Sequence, residues 1–120
     1  MKIKSIAIIL TLFVAALAIL LAAAMVLTLY FPGRGIQLQM AAETGDLETV
    51  KSLIQQGAPI NHQKRLYRFG WTPLIGAIYQ RQTNVVKYLV ESGADINLGD
   101  RNGVTPLMYQ IAWGMKVLRW

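Results

Sequence analysis

The chain has 120 residues, of which 54% are hydrophobic, and a formal net charge of +6 at pH 7. There is room for one modest domain, and the absence of cysteine excludes disulfides, thiolate metal sites, thiol nucleophiles and a lipid-modified cysteine. The positive charge is divided between the N-terminus and a weak excess spread over the remainder, too little to argue for nucleic acid as a partner.

From Ser5 to Phe31 no residue is charged, and none is Gly or Pro. A helix over this run is roughly 40 Å long, enough to cross a hydrocarbon core of about 30 Å with some tilt. The rest of the chain is too small to wrap it on every side as a core helix. A cleaved signal peptide is the rival, since Lys2 and Lys4 make a basic start and Ala22-Ala23-Ala24 a small-residue cleavage site. Cleavage there would leave "MVLTLYF" exposed at a new N-terminus, so an uncleaved anchor over residues 1–31 is the favoured reading and a secreted form the alternative. Lys2, Lys4 and the terminal amine precede the run, and only Arg34 lies close behind it. The positive-inside rule then leaves the N-terminus cytoplasmic and the rest of this single-pass protein periplasmic or extracellular. Pro32 ends the helix, and residues 32–35 form a short linker that holds the C-terminal region near the bilayer.

Residues 36–120 repeat themselves. Gly57-Ala58 and Asn61 recur as Gly93-Ala94 and Asn97 after 36 residues, and Thr72-Pro73-Leu74 recurs as Thr105-Pro106-Leu107 after 33. Val50, Leu53 and Ile54 match Val86, Leu89 and Val90, the i, i+3, i+4 spacing of an amphipathic helix. Thr72 and Thr105 are placed to cap helices that begin at Pro73 and Pro106, where a missing N–H is harmless. Gly57 and Gly93 stand just past second helices, where a left-handed residue closes the last carbonyls. A helix, turn, helix and loop of about 33 residues cannot bury its apolar face alone, so the units must stack.

"GWTPLIGAI" (70–78), "GVTPLMYQI" (103–111), "NVVKYLVESGADIN" (84–97) and "QMAAETGDLETVKSLIQQGAPIN" (39–61) together resemble the ankyrin repeat family. The resemblance implies an all-α fold, a short ankyrin-repeat solenoid of helix-turn-helix units with hairpin loops, and the apolar run places one transmembrane helix before it. Its units are about 36–61, 62–97 and 98–120, the last lacking a full second helix. Several positions depart from the pattern. Gln39, Ile75 and Met108 replace the His of the opening motif, and Arg81 stands where the family has an inter-helix Gly.

Catalytic chemistry finds no foothold. His62 is the single histidine, without a carboxylate near it in sequence, and reads as a solvated loop residue. Asp95 and Asp100 read as turn formers, and Glu43, Asp46 and Glu48 as helix N-terminal charges or solvated faces. No phosphate-binding glycine loop is present, and neither enzyme activity, metal nor cofactor is expected.

The loop "HQKRLYRFGW" (62–71) is the distinctive segment. In an extended strand Tyr67, Phe69 and Trp71 share one face, with Lys64, Arg65 and Arg68 around them. Three readings stand: the aromatics pack on the next repeat, they form a hot spot for a protein partner, or the cations touch anionic lipid. Ankyrin-type stacks bind through loop tips and the exposed ends of first helices. The resemblance therefore implies a partner surface of Glu43 and Thr44 from the first unit, Arg68, Phe69, Trp71, Tyr79 and Gln80 from the second, and Arg101, Asn102, Val104 and Trp113 from the third. The expected partner is a protein of unknown identity, with the membrane engaged through the N-terminal helix. A lipid-surface or assembly role is the alternative, because an incomplete third unit would leave Leu107, Ile111 and Val117 partly covered beside Leu118 and Trp120, an open end suited to self-association.

Overall fold

A computed structural model of the chain describes residues 2–30, 32–63, 68–114 and 116, all of them in helices, turns or irregular connections. The chain divides into two compact units, residues 1–32 and 33–120.

The first unit is one helix, α1 (Lys2–Tyr30), with none of its residues buried. At 29 residues it is long and apolar enough to cross a membrane. Its two threonine hydroxyls are satisfied within the helix, Thr11 donating to the carbonyl of Ala7 at 2.7 Å and Thr28 to that of Met25 at 2.8 Å. Neither would present an unpaired polar group to hydrocarbon.

The second unit holds, among the described residues, five short α-helices: α2 (Arg34–Thr44), α3 (Leu47–Gln55), α4 (Pro73–Tyr79), α5 (Thr83–Glu91) and α6 (Pro106–Trp113). Each of α2 and α4 turns back into its successor, and α2, α4 and α6 line up side by side while α3 lies beside α5. Two layers of helices result. Between them sits a single core built from Leu38, Ala41 and Ala42 of α2, Val50 and Leu53 of α3, Leu74, Ala77 and Ile78 of α4, and Val85, Val86 and Leu89 of α5. Small residues at Ala41, Ala42 and Ala77 let the first-layer helices approach closely, and the amphipathic stripes of α3 and α5 close the other side.

Helices of seven to eleven residues are too short to persist alone, and side-chain caps fix the starts of α3, α4 and α6. The Thr72 hydroxyl accepts from the Ile75 amide at 3.2 Å, and the Thr105 hydroxyl from the Met108 amide at 3.4 Å. Asp46 caps α3 by accepting from both the amide and the hydroxyl of Thr49, and these bonds hold its carboxyl below the usual carboxylate range. Thr72 is buried, so Thr72→Ala leaves an amide unpaired away from water and is expected to cost about 1–2 kcal/mol. A thermal midpoint equal to that of the wild type would remove Thr72 from the capping role.

Three local features differ from the sequence reading. Helix α2 begins inside the stretch 32–35, and Arg34 takes on a structural task, donating to the carbonyl of Gln56 at 2.7 Å near the end of α3. His62 is not a solvated loop residue but is half-buried against Gly35, where a Cβ would lie only 2.3 Å from the ring. Gly35 is therefore fixed by close approach. Gln39 is wholly buried, with neither amide atom paired among the described residues, whereas its counterpart in the next unit is the buried apolar Ile75. An unpaired buried amide is a local cost that an apolar side chain avoids.

Candidate functional site

The loops that lead into α4 and α6 lie against each other. The Arg101 amide donates to the carbonyl of Phe69 at 2.9 Å, and Gln63 Nε2 donates to the carbonyls of Gly70 and Gly99, each at 2.7 Å. Gln63, Gly70, Gly99, Asp100 and Arg101 line an open recess of about 320 Å³ between these loops. The second loop closes as a hairpin, the Asp100 amide donating to the Val104 carbonyl at 3.0 Å.

Asp100 is the hub of this region. Its Oδ1 accepts from the amides of Asn102 (2.8 Å) and Val104 (3.0 Å), and its Oδ2 from the Tyr109 hydroxyl (2.7 Å). That hydroxyl in turn accepts from Trp71 Nε1 at 3.1 Å. The pKa of the tyrosine is pushed up to about 12, first by burial and then by its bond to Asp100. A buried carboxylate thus orients a tyrosine, and the tyrosine orients a tryptophan.

Around this relay the aromatic rings form a continuous shelf. Trp71 and Tyr79 stack with centroids 4.5 Å apart, Tyr109 meets Trp71 edge-on at 5.9 Å and Tyr79 at 6.3 Å, and Trp113 meets Tyr79 edge-on at 5.3 Å. Edge-to-face and tilted pairs of this kind are favourable beyond the area they bury. The shelf has a buried back and an open front: Trp71 is 5% exposed, whereas Trp113 is 40% exposed and Tyr79 similar. The guanidinium of Arg81 lies 5.8 Å from the centroid of the Trp113 ring, within cation–π range.

Two residues at this shelf hold left-handed backbone without being glycine. Phe69 (φ 57°) lies in a short 3₁₀ turn, Arg68–Gly70, and Arg81 (φ 59°) joins α4 to α5. The matching junctions after α2 and α6 use Gly45 (φ 78°) and Gly114 (φ 66°). For a side-chain-bearing residue the conformation costs on the order of 1 kcal/mol relative to glycine, and both residues are exposed.

Of the residues expected on the partner surface, Trp71, Tyr79 and Trp113 come together in the shelf, and Phe69 and Arg101 meet through backbone at its loop side. Gln80, exposed, ends α4 beside Arg81. Thr44 is exposed but its hydroxyl turns back to the carbonyl of Met40 at 3.0 Å. Glu43 is half-buried beneath Gly76, and its carbonyl accepts from Gln82. Asn102 and Val104 serve the hairpin through their amides. Over the described residues 68–71 the extended-strand arrangement does not hold: the kink at Phe69 sends its side chain outward (66% exposed) while Trp71 turns inward. Lys64, Arg65, Leu66 and Tyr67 lie outside the described residues, as does the side chain of Arg68. Tyr109, the place of Arg81 at the site and the relay role of Asp100 escaped the sequence reading, which marked Arg81 only as a departure from the repeat pattern. For Tyr109 a signal existed, because Tyr109 and Trp113 are four apart on one helix and must share a face.

Stacked helix-turn-helix units whose loops and first helices jointly carry one surface define a repeat solenoid, a class that recognises partners across several units at once. The chain belongs to the ankyrin repeat family: the family described as "Ankyrin repeats (3 copies)" matches residues 38–120. Repeats of this family are in general protein–protein interaction modules. The chain is 41% identical over 68 residues to ankyrin repeat and SAM domain-containing protein 6 of Rattus norvegicus, a match covering 57% of this chain and 8% of that protein. It is 35% identical over 78 residues to the 2-5A-dependent ribonuclease of Homo sapiens (64% and 10%), and 42% identical over 60 residues to the mitochondrial disaggregase of Homo sapiens (50% and 8%). The chain spans a tenth or less of the length of these relatives, so the likeness is one of repeats and not of whole proteins.

Proposed function

We propose that this chain is a non-enzymatic, membrane-anchored interaction module that docks a protein partner on the Trp71–Tyr79–Tyr109–Trp113 shelf and the loop tips beside it. The observation that carries the reading is the half-open aromatic surface, since rings oriented from behind by a buried carboxylate and left exposed in front are what an interface centre offers. Replacing Trp113 with a photoreactive benzophenone amino acid in cells, and Lys51 on α3 likewise as a control, tests it. A discrete protein adduct from position 113 and none from position 51 is the expected result; adducts to lipid alone from position 113 would defeat it.

The anchor is the uncleaved α1 helix, with the N-terminus in the cytoplasm and the repeats in the periplasm or outside the cell. Its support is length and apolarity together with the flanking charges. The intact mass of the mature protein is expected to include residues 1–31, and a product starting at Met25 would make this a secreted protein.

One observation favours a second reading, a surface or assembly protein that contacts its own copies and anionic lipid. Met108 and Ile111 of α6 are exposed, Ile111 at 60%, while Leu107 is half-buried. Val117, Leu118 and Trp120, expected to add to this surface, lie outside the described residues. Sedimentation of the purified chain in detergent separates the two readings: concentration-dependent dimers that vanish in Ile111→Glu belong to the second.

A further inference from the structure

The charges of the repeat domain are unevenly committed. Ten of the 12 cationic residues lie beyond the N-terminal helix, together with all six acidic ones. Most of the acids have internal tasks: Asp46 caps α3, Glu48 pairs with Lys51 at 3.5 Å, Asp95 accepts from the Asn97 amide, Asp100 holds the hairpin and Glu43 packs beneath Gly76. Arg81 and Arg101 are exposed, and among the described residues neither forms an ion pair. Arg81 lies over Trp113, at the open front of the shelf, whereas Arg101 is placed only through its amide, which donates to the carbonyl of Phe69 beside the Asp100 recess. From Arg81 inward run Trp113, Tyr79 and Trp71 in ring-to-ring contact.

Arg81 carries the argument further. Its junction needs left-handed backbone, and the two equivalent junctions use glycine, which takes that conformation freely. An arginine placed there against its backbone preference contributes something glycine cannot. Its guanidinium rests over an exposed tryptophan, which orients the planar donor fork and leaves its N–H groups open to a carboxylate. Strain retained at an exposed surface beside a candidate site points to recognition.

We propose that the shelf binds an acidic segment of a partner protein, with a carboxylate paired to Arg81 and an apolar side chain laid over Tyr79 and Trp113. This rests on the docking surface proposed above and names the chemistry of what docks there. The cation beside the open rings favours negative charge next to the anchor, and the rings themselves take the anchor. Internal carboxylates do not compete, because those near the shelf are engaged by the fold.

The test uses the full chain in lipid nanodiscs and a displayed library of short random peptides, with Trp113→Ala as counter-selection. Peptides whose binding needs Trp113 are expected to be enriched in Asp and Glu, and to lose about tenfold or more in affinity both at high salt and in Arg81→Gly. Because glycine suits the junction, Arg81→Gly is expected to melt at or above the wild-type temperature, which separates lost recognition from lost folding. Trp113-dependent peptides without acidic enrichment, or indifferent to Arg81→Gly, would overturn the acidic partner while leaving the docking surface in place. Failure to select any Trp113-dependent peptide would remove the docking surface, and this proposal with it.

Discussion

Asp100→Ala is expected to destabilise the repeat domain by on the order of 3 kcal/mol, because three partly buried donors lose their acceptor together. The amides of Asn102 and Val104 would be left unpaired in the hairpin, and the Tyr109 hydroxyl would lose the bond that fixes its ring against Trp71. Urea denaturation followed by tryptophan fluorescence reads the loss directly. Asp100→Asn keeps an acceptor for the two amides and is expected to lose less; equal losses would mean that charge, and not acceptor count, holds the loop. The same network sets an alkaline limit. Tyr109 keeps its proton in the fold up to about 12, above the ordinary tyrosine value of 10.0, so its contribution is intact below pH 10 and declines as pH rises from there toward 12. Denaturation midpoints that are flat over that window would place the tyrosine in a wetter setting than its bonds imply.

Trp71→Ala is expected to cost about 3–5 kcal/mol, enough to unfold much of a small domain at ordinary temperature. Trp71 is buried, stacks on Tyr79 and donates to Tyr109, so truncation removes core volume and two ring contacts at once. Trp113→Ala, by contrast, removes a ring already open to water and is expected to cost about 1 kcal/mol while abolishing whatever the shelf binds. Thermal unfolding of the two variants side by side, followed by circular dichroism, checks the division. Equal midpoints for both would show that the shelf has no buried back.

Much of the repeat architecture was legible because local rules and global packing agree. Thr-Pro starts, left-handed Gly57 and Gly93, and the paired apolar stripes of α3 and α5 each arise from short-range chemistry, and each stands in the structure as expected. The loop 62–71 misled for a specific reason: alternation of aromatics predicts one shared face only if the backbone stays extended. Phe69 adopts a conformation that a phenylalanine rarely takes, and the pattern breaks there. Asp100 looked like an ordinary turn aspartate, which it is, yet its second oxygen reaches Tyr109 nine residues on, a contact that only the folding of the hairpin against α6 creates. His62 was unreadable for a similar reason, since its packing partner Gly35 lies 27 residues earlier and offers no local sign of a close approach.

The shelf takes Trp71 and Tyr79 from one unit and Tyr109 and Trp113 from the next. Neither unit owns it. Separation of the two units and disappearance of the shelf are therefore one event, and an occupant would act as a clamp across that seam by mass action, in proportion to its concentration over its dissociation constant. Its presence would be felt as slowed solvent exchange of amides such as those of Ile75 and Met108, which mark the starts of α4 and α6. In this way a small array can report occupancy through rigidity alone, with no second conformation and no moving part.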